Sequence, residues 1–228
     1  MYVLHIANKN YSSWSLRPWL LLSELGIPFE ERLTPFGSAP FGGFSPTAKV
    51  PCLHDDETIV WESLAIAEYL AERHADVWPA AAQTRAWARC AAAEMHAGFG
   101  ALRNACPMNC GIRVRLHELS AALRADLARL DALWCEGLSR FGGPYLAGAA
   151  FSAVDAFFAP VAFRVQIYDL PLSVAASEYA LRLLALPAMR RWQADALVEP
   201  WRDAEHDEEV AGLGICLEDR RVVQRDSA

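Results

Sequence analysis

The segment YVLHIANKNYSSWSLRPWLLLSELGIPFEERL, residues 2–33, decides the fold of this chain. Residues 2–7 have the length and composition of a buried strand, and the segment after them places leucines and tryptophan at helical spacing. Gly26 and Pro28 end that helix, because glycine suits a left-handed helix terminus and proline cannot continue a helix. Residues 29–33 then alternate as a second strand. A strand–helix–strand unit predicts two parallel strands.

Three further elements complete a small domain. Residues 51–54 and 58–61 are short strands on either side of a polar turn, which predicts a β-hairpin. Residues 62–74 carry apolar side chains at helical spacing, and residues 34–47 are a loop rich in proline, glycine and serine. The order strand, helix, strand, loop, hairpin, helix predicts a thioredoxin-like α+β domain over residues 1–76.

The remainder of the chain has a different pattern. Val77-Trp78-Pro79 opens a linker that we place at residues 77–83. Residues 84–228 show helical periodicity and no convincing strand, so we expect an all-α C-terminal domain. From about residue 212 the sequence has mixed charge and little periodicity, which predicts a flexible tail or a strap over the surface.

Composition limits the kind of partner. The 228 residues include 21 Lys and Arg against 28 Asp and Glu, a net charge of −7 without a basic run, which argues against nucleic acid or an anionic membrane as a partner. The chain has no apolar run of membrane-spanning length and no leader-like start, so we expect a cytoplasmic protein. Its 6 cysteines form no Cys-x-x-Cys pair, so we expect reduced thiols and no metal.

The segment Tyr11-Ser12-Ser13-Trp14-Ser15 lies at the junction of the first strand and the first helix. Serines at a helix start are ordinary caps, because their side-chain oxygen accepts a first-turn N–H. The same position also suits an anion, and a hydroxyl that donates to a bound sulfur stabilises the thiolate over the thiol. The motif alone leaves both interpretations open.

Two more motifs extend the second interpretation. A cis proline at Pro51 would turn the Val50 backbone towards a peptide ligand, although most X-Pro bonds are trans. Lys49 is then either the partner of a ligand carboxylate or an ordinary surface lysine. Glu62-Ser63 is either a favourable helix start or a pair that recognises an amino-acid head group. Together the three motifs would surround a crevice for a small zwitterionic peptide and its thiolate.

In this order and spacing the motifs resemble those of the cytosolic glutathione S-transferases. Residues 12–17, SSWSLR, are similar to the zeta-class signature Ser-Ser-Cys-Ser-x-Arg, although Trp14 stands where zeta enzymes have cysteine. Residues 48–53 and 61–66, AKVPCL and WESLAI, resemble the core of the family's glutathione site, and residues 151–155, FSAVD, its helix-capping motif. The resemblance covers nearly the full chain and implies a glutathione transferase fold, a bacterial serine-type enzyme and a homodimer.

The resemblance also implies roles for the motif residues. Ser12 is the first candidate for the hydroxyl that activates the glutathione thiol, and Ser13 is the second. Val50 and a cis Pro51 would bind the cysteinyl part of glutathione and Lys49 its glycyl carboxylate. The γ-glutamyl end would be held by Glu62 and Ser63.

In the family, the first helix of the second domain lines the pocket for the electrophile. The resemblance therefore assigns this pocket four residues: Trp14, Phe99, Arg103 and Met108. The alternative is that Phe99 and Met108 belong to the core and Arg103 to a structural pair. The acidic segment 203–209 is interpreted as a solvated connector.

The sequence thus predicts a glutathione transferase that adds the thiolate to a hydrophobic or anionic electrophile in detoxification, with glutathione as co-substrate. Two alternatives stay open. One is a glutathione-dependent isomerase similar to maleylacetoacetate isomerase, which Trp14 makes less favourable. The other is a non-catalytic binding protein that kept the fold, because a fold alone does not fix a function.

Overall fold

A computed structural model describes residues 1–222. The strands are β1 (Tyr2–Ile6), β2 (Phe29–Leu33), β3 (Cys52–Asp55), β4 (Thr58–Trp61), β5 (Ile112–Leu116) and β6 (Gly214–Asp219). The helices are α1 (Ser13–Glu24), α2 (Ser63–Ala71), α3 (Ala82–Ala97), α4 (Gly100–Ala105), α5 (Ala121–Phe141), α6 (Ala153–Tyr168), α7 (Val174–Ala185), α8 (Pro187–Val198) and α9 (Ala204–Ala211). Within these residues, no helix combines the length and the apolar character that crossing a bilayer requires.

The N-terminal part is a four-stranded sheet in the order β2-β1-β3-β4, with α1 and α2 packed beside it. β1 pairs in parallel with β2, Tyr2 opposite Phe29, and antiparallel with β3, Leu4 opposite Leu53. β3 and β4 form the expected hairpin. The thioredoxin-like arrangement predicted from the sequence is therefore confirmed. The C-terminal end of β1 therefore lies close to the N-terminal end of α1, and the serine motif lies between them.

The C-terminal part is helical, as expected, and it is organised around α6. This helix is apolar on nearly all sides and buried along almost its whole length, as a central helix must be. It contacts α1, α3 and α7, so it joins the two parts of the chain. Its start is fixed by Asp155, which accepts hydrogen bonds from the Ser152 N–H, the Leu146 N–H and the Tyr179 hydroxyl. Burial raises the pKa of Asp155 to about 6 despite these hydrogen bonds.

The expectation of a flexible tail from about residue 212 is wrong for the described part of that segment. Residues 214–219 form β6, which pairs antiparallel with β5, so the helical domain also contains a two-stranded sheet. β5 buries Ile112 and Val114 on one face, whereas β6 is largely exposed and shows no buried face. Its pairing with a distant strand is therefore invisible to hydrophobic periodicity. Residues 223–228 lie outside the described part of the chain.

A buried lysine anchors the loop between β1 and α1 to the second part of the chain. The Lys9 ammonium group contacts Asp195 at 2.7 Å and Glu31 at 2.9 Å, and its side chain is only 6% exposed. The Lys9 N–H donates to the buried Glu199 carboxylate, and the Lys9 carbonyl accepts from the Trp192 indole at 2.9 Å. These contacts hold the residues just before Ser12 against α8.

Candidate functional site

A cavity of about 460 Å³ opens at the N-terminal end of α1, between the two parts of the chain. The loop around residue 36 and the segment before β3 form one side of it, and residues from α4, α6 and α9 form the other. Seven of the residues selected from the sequence line the wall of this cavity: Ser12, Ser13, Trp14, Lys49, Val50, Arg103 and Met108.

The first turn of α1 has unpaired donors beside this cavity. Ser12 is the N-cap residue, but its side chain makes no capping hydrogen bond. Within residues 1–222, the backbone N–H groups of Trp14 and Ser15 have no hydrogen-bond acceptor. Free N–H groups and the positive end of the helix dipole together favour an anion at such a position.

The two candidate hydroxyls have different surroundings. Ser12 is buried, and its Oγ donates to the Ser15 Oγ at 2.7 Å, which also accepts from the Ala7 N–H at 3.3 Å. Ser13 is half-buried, and its Oγ accepts from the Arg164 guanidinium at 3.4 Å, which leaves its hydrogen free for another acceptor. Because a hydroxyl hydrogen rotates, either serine can donate to a group bound in the cavity.

Three arginines make this end of the cavity electropositive. Arg17 and Arg103 lie over the Trp14 ring, 4.1 and 5.4 Å from its centroid, and Arg164 donates to the Cys106 carbonyl at 2.7 Å. Burial lowers the pKa of Arg164 to about 10, so this guanidinium still carries its charge at neutral pH. Within the described residues none of the three forms an ion pair with a carboxylate. Arg103 and Arg164 line the cavity, so their charge is available to an anion bound there.

Arg17 is the most deeply buried of the three. Its Nε and Nη1 atoms are buried without a hydrogen-bond partner in the part of the chain that the structure describes. Burial lowers the pKa of Arg17, and the neighbouring Arg164 and Arg103 lower it further. Burying an unpaired cation is energetically costly. We assign Arg17 the role of shaping the Trp14 wall of the cavity and its electrostatic field, because its guanidinium lies over the Trp14 ring.

A second, smaller hollow of about 210 Å³ adjoins the first and shares Trp14, Lys49 and Val50 with it. Pro51 and Glu62 complete its wall together with Thr47. The Val50–Pro51 bond is cis, as the motif predicts. Among residues 1–222, the Val50 N–H and C=O have no backbone partner, so they present a free edge to a ligand. Such an edge can pair with an extended peptide.

Several known proteins are similar to this chain. Residues 11–73 match the family model of the glutathione S-transferase N-terminal domain. The glutathione S-transferase-like protein OpS6 of Beauveria bassiana strain ARSEF 2860 is 28% identical over 190 residues, which cover 77% of this chain and 84% of that protein.

Solved structures show the same fold over most of the chain. A glutathione transferase homologue from Burkholderia, crystallised with bound glutathione, has a TM-score of 0.65 and 24% identity, over 86% of this chain and 97% of that one. A diazinon-metabolizing glutathione S-transferase of the silkworm Bombyx mori has a TM-score of 0.68 and 16% identity, with the same two coverages of 86% and 97%. The chain has the glutathione transferase fold. Residues 11–73 are similar to the N-terminal domain of glutathione S-transferases.

Two of the selected residues, Phe99 and Ser63, line neither the cavity nor the smaller hollow. Phe99 is 6% exposed and belongs to the hydrophobic core, at a left-handed turn before α4 with a φ of 54°, which fits the core alternative that the sequence left open. Ser63 opens α2 and is 1% exposed, and its hydroxyl has no partner within the described residues. Ser63 is therefore an unsatisfied hydroxyl behind Glu62 rather than a wall residue.

The sequence analysis missed several wall residues, among them Phe36, Arg164, His206 and Glu209. Arg164 had a visible signal, since it is the one positive charge in the largely apolar α6. His206 and Glu209 lie in the acidic segment that was interpreted as a solvated connector. Their position depends on tertiary contacts of α9, which no local pattern encodes.

Proposed function

We propose that this protein is a glutathione transferase that forms the glutathione thiolate at the start of α1 and adds it to an electrophilic small molecule. One observation carries the proposal. The hollow with the free Val50 edge and the cavity with the electropositive wall meet at Trp14, next to the unpaired N–H groups of α1. A peptide bound in the smaller hollow would place its sulfur in the larger cavity.

Glutathione binding uses the smaller hollow. The Val50 N–H and C=O pair with the cysteinyl part of the peptide, as an added strand pairs with a sheet edge. Lys49 binds the glycyl carboxylate, and Glu62 binds the ammonium group at the γ-glutamyl end. Once the first turn of α2 moves enough to expose it, the Ser63 hydroxyl gains a partner by donating to the γ-glutamyl carboxylate.

Thiolate formation uses fixed donors rather than a nucleophilic side chain. The Ser12 hydroxyl donates to the sulfur, and the free N–H groups of Trp14 and Ser15 add their positive field. Arg164, which contacts Ser13, adds a full charge on the same side. Each of these stabilises the thiolate and not the thiol, so together they lower the pKa of the bound thiol.

The larger cavity binds the electrophile. Trp14 and Met108 give it an apolar surface, and Arg103 attracts a negative group. This combination favours a hydrophobic electrophile that carries an anionic substituent. We further propose that the enzyme is a cytoplasmic homodimer of the serine type with a role in detoxification.

The experiment has two steps. Purified protein is applied to immobilised glutathione, and turnover is then measured with neutral chlorodinitrobenzene and anionic ethacrynate. We expect retention, turnover of both, and a loss of at least about tenfold in kcat/KM for ethacrynate alone in Arg103→Gln, which matches one charged hydrogen bond. Retention without any turnover would identify a non-catalytic glutathione-binding protein, and absence of retention would refute the proposal.

A further inference from the structure

A histidine and an aspartate form a hydrogen-bonded pair beside the cavity. The His206 Nδ1 lies 2.7 Å from the Asp203 Oδ1, and the same carboxylate caps α9 by accepting the His206 N–H at 3.2 Å. Since a carboxylate only accepts, this contact places the ring hydrogen on Nδ1 and leaves Nε2 as an acceptor. His206 lines the cavity wall, so Nε2 is the nitrogen available to a bound molecule.

Two aromatic rings pack against the His206 ring. Tyr11, the residue before Ser12, lies on one side with its ring centroid 5.1 Å from that of His206, and Phe36 lies 5.0 Å away. The Tyr11 hydroxyl donates to Asp207 at 3.1 Å, and Arg221 contacts both of these groups. The pair is thus a fixed part of the site although it belongs to the C-terminal segment.

We propose that His206, oriented by Asp203, is the group that takes the proton from the glutathione thiol and returns it to the product. This inference rests on the proposed transferase function and adds a catalytic residue to it. The serines at the helix start stabilise the thiolate but are poor proton acceptors, so the site needs a separate base. General acid–base catalysis of this kind contributes about 10²- to 10⁴-fold to a rate.

The step is written for an α,β-unsaturated carbonyl compound. His206 Nε2 takes the proton as the S–H bond breaks, and the sulfur electron pair forms a bond to the β-carbon. The π pair of the C=C bond moves into the bond between the α-carbon and the carbonyl carbon, and the C=O π pair moves onto the oxygen, which gives an enolate. The imidazolium then returns the proton to the α-carbon, so that S–H has been added across C=C and His206 is neutral again.

The other wall residues are less suited to this role. Lys49, Arg103 and Arg164 are cations, and burial raises the pKa of Tyr11, which keeps its hydroxyl protonated. Glu209 is the remaining acceptor on the described wall, and it is therefore tested as the rival base. The charged or titratable groups around His206 that bear on a pH profile are Asp203, Tyr11, Asp207, Glu209, Arg221 and Lys49.

The test uses the full-length protein, glutathione and benzylideneacetone, a neutral α,β-unsaturated ketone. We expect His206→Gln and His206→Phe to lower kcat/KM about 10²-fold near pH 6.5, and Phe keeps the aromatic stack. The loss in kcat/KM should become smaller at a pH above about 8.5, the ordinary thiol pKa, because a thiol that is already ionised needs no base. Affinity for S-hexylglutathione, measured by calorimetry, should stay unchanged in both variants.

Three further variants isolate the base. Asp203→Asn should cause a smaller loss with the same pH dependence, since asparagine still caps the helix but no longer orients the ring as a carboxylate does. Glu208→Gln, on the exposed side of α9, should leave the rate unchanged. A loss in Glu209→Gln with none in His206→Gln would overturn the assignment.

Different results would refute the role of His206 and the proposed transferase function. Wild-type rates and an unshifted pH profile in both His206 variants would refute the role of His206 while the transferase function stands. A wild-type protein that neither binds S-hexylglutathione nor turns over benzylideneacetone would refute both. Equal losses at all pH values together with weaker S-hexylglutathione binding would show that His206 is a structural residue.

Discussion

Replacing Ser12 by alanine tests how the site forms the thiolate. In the structure the Ser12 hydroxyl donates to the Ser15 Oγ at 2.7 Å. To serve the sulfur it exchanges this neutral hydrogen bond, worth about 0.5–1.5 kcal/mol, for one to a charged acceptor, worth about 1.5–3 kcal/mol. The net gain is about 1–1.5 kcal/mol, or the full 1.5–3 kcal/mol if Ser15 turns its own hydrogen towards Ser12.

This range corresponds to about one to two units in the pKa of the bound thiol, at 1.36 kcal/mol per unit. Ser12→Ala should therefore raise that pKa by about one to two units and lower turnover at neutral pH tenfold or more. Affinity for glutathione should change little, because the peptide contacts at Val50 and Glu62 remain. The measurement is a titration of the ultraviolet thiolate absorbance of bound glutathione in the wild type and the variants.

Ser13→Ala and Ser15→Ala are the matched controls. Ser15→Ala leaves the buried Ala7 N–H without its acceptor and should cost about 1–3 kcal/mol of stability, yet the thiol pKa should not rise. If Ser13→Ala alone moves the titration, the hydroxyl next to Arg164 activates the thiol and the Ser12 assignment is refuted. If neither Ser12→Ala nor Ser13→Ala moves the titration, the N–H groups of α1 and Arg164 supply the activation, and Ser12 is only the N-cap residue of α1.

The remaining predictions concern the peptide contacts and the fold. Glu62→Ala should raise the KM for glutathione and leave the pKa of the bound thiol unchanged, because it acts at the far end of the peptide; an unchanged KM in steady-state kinetics contradicts the assignment. Ser63→Ala should weaken glutathione binding in calorimetry while raising the melting temperature of the free protein, because it removes a buried hydroxyl without a partner; a change in stability alone shows that Ser63 does not touch the ligand. Asp155→Ala should lower the free energy of unfolding in urea by about 2–5 kcal/mol, since it removes the α6 cap and leaves the Tyr179 hydroxyl unpaired. Burial raises the Asp155 pKa from 3.8 to about 6, so the folded state holds this proton more tightly than the unfolded state. The wild type therefore loses stability as the pH rises through that interval, and Asp155→Asn should flatten the loss.

The part of the fold that was predictable is the part encoded locally. In the β1–α1–β2 unit and the β3–β4 hairpin, apolar residues repeat at the spacing of a helix or a strand, and turn residues such as Gly26 and Pro28 bound these segments. The β5–β6 sheet was missed because its two strands are far apart in sequence and β6 buries no face. An alternating pattern was present only in β5, where Ile112 and Val114 are buried.

The candidate site divides in the same way. The serines and Glu62 were selected because they lie at helix starts, which sequence patterns reveal. For Phe99 the sequence left a wall and a core position open, and the structure places it in the core because the chain turns there between α3 and α4. His206 could not be found from its acidic surroundings, since its position depends on contacts with Tyr11 and Phe36 from the other part of the chain.

The two sets of charges at the site act on the thiol in complementary ways. The unpaired N–H groups of α1 and the guanidinium of Arg164 hold the thiolate by fixed charge, and they do so whether or not a base is present. The Asp203 carboxylate, 2.7 Å from the His206 Nδ1, leaves Nε2 as the nitrogen available to a molecule in the cavity. A base in this position accepts the thiol proton when the thiolate forms and gives it up again once the new bond has consumed the sulfur's negative charge. The Asp203 contact therefore fixes the ring, and its removal should slow the transfer of the thiol proton to His206 without preventing glutathione from binding.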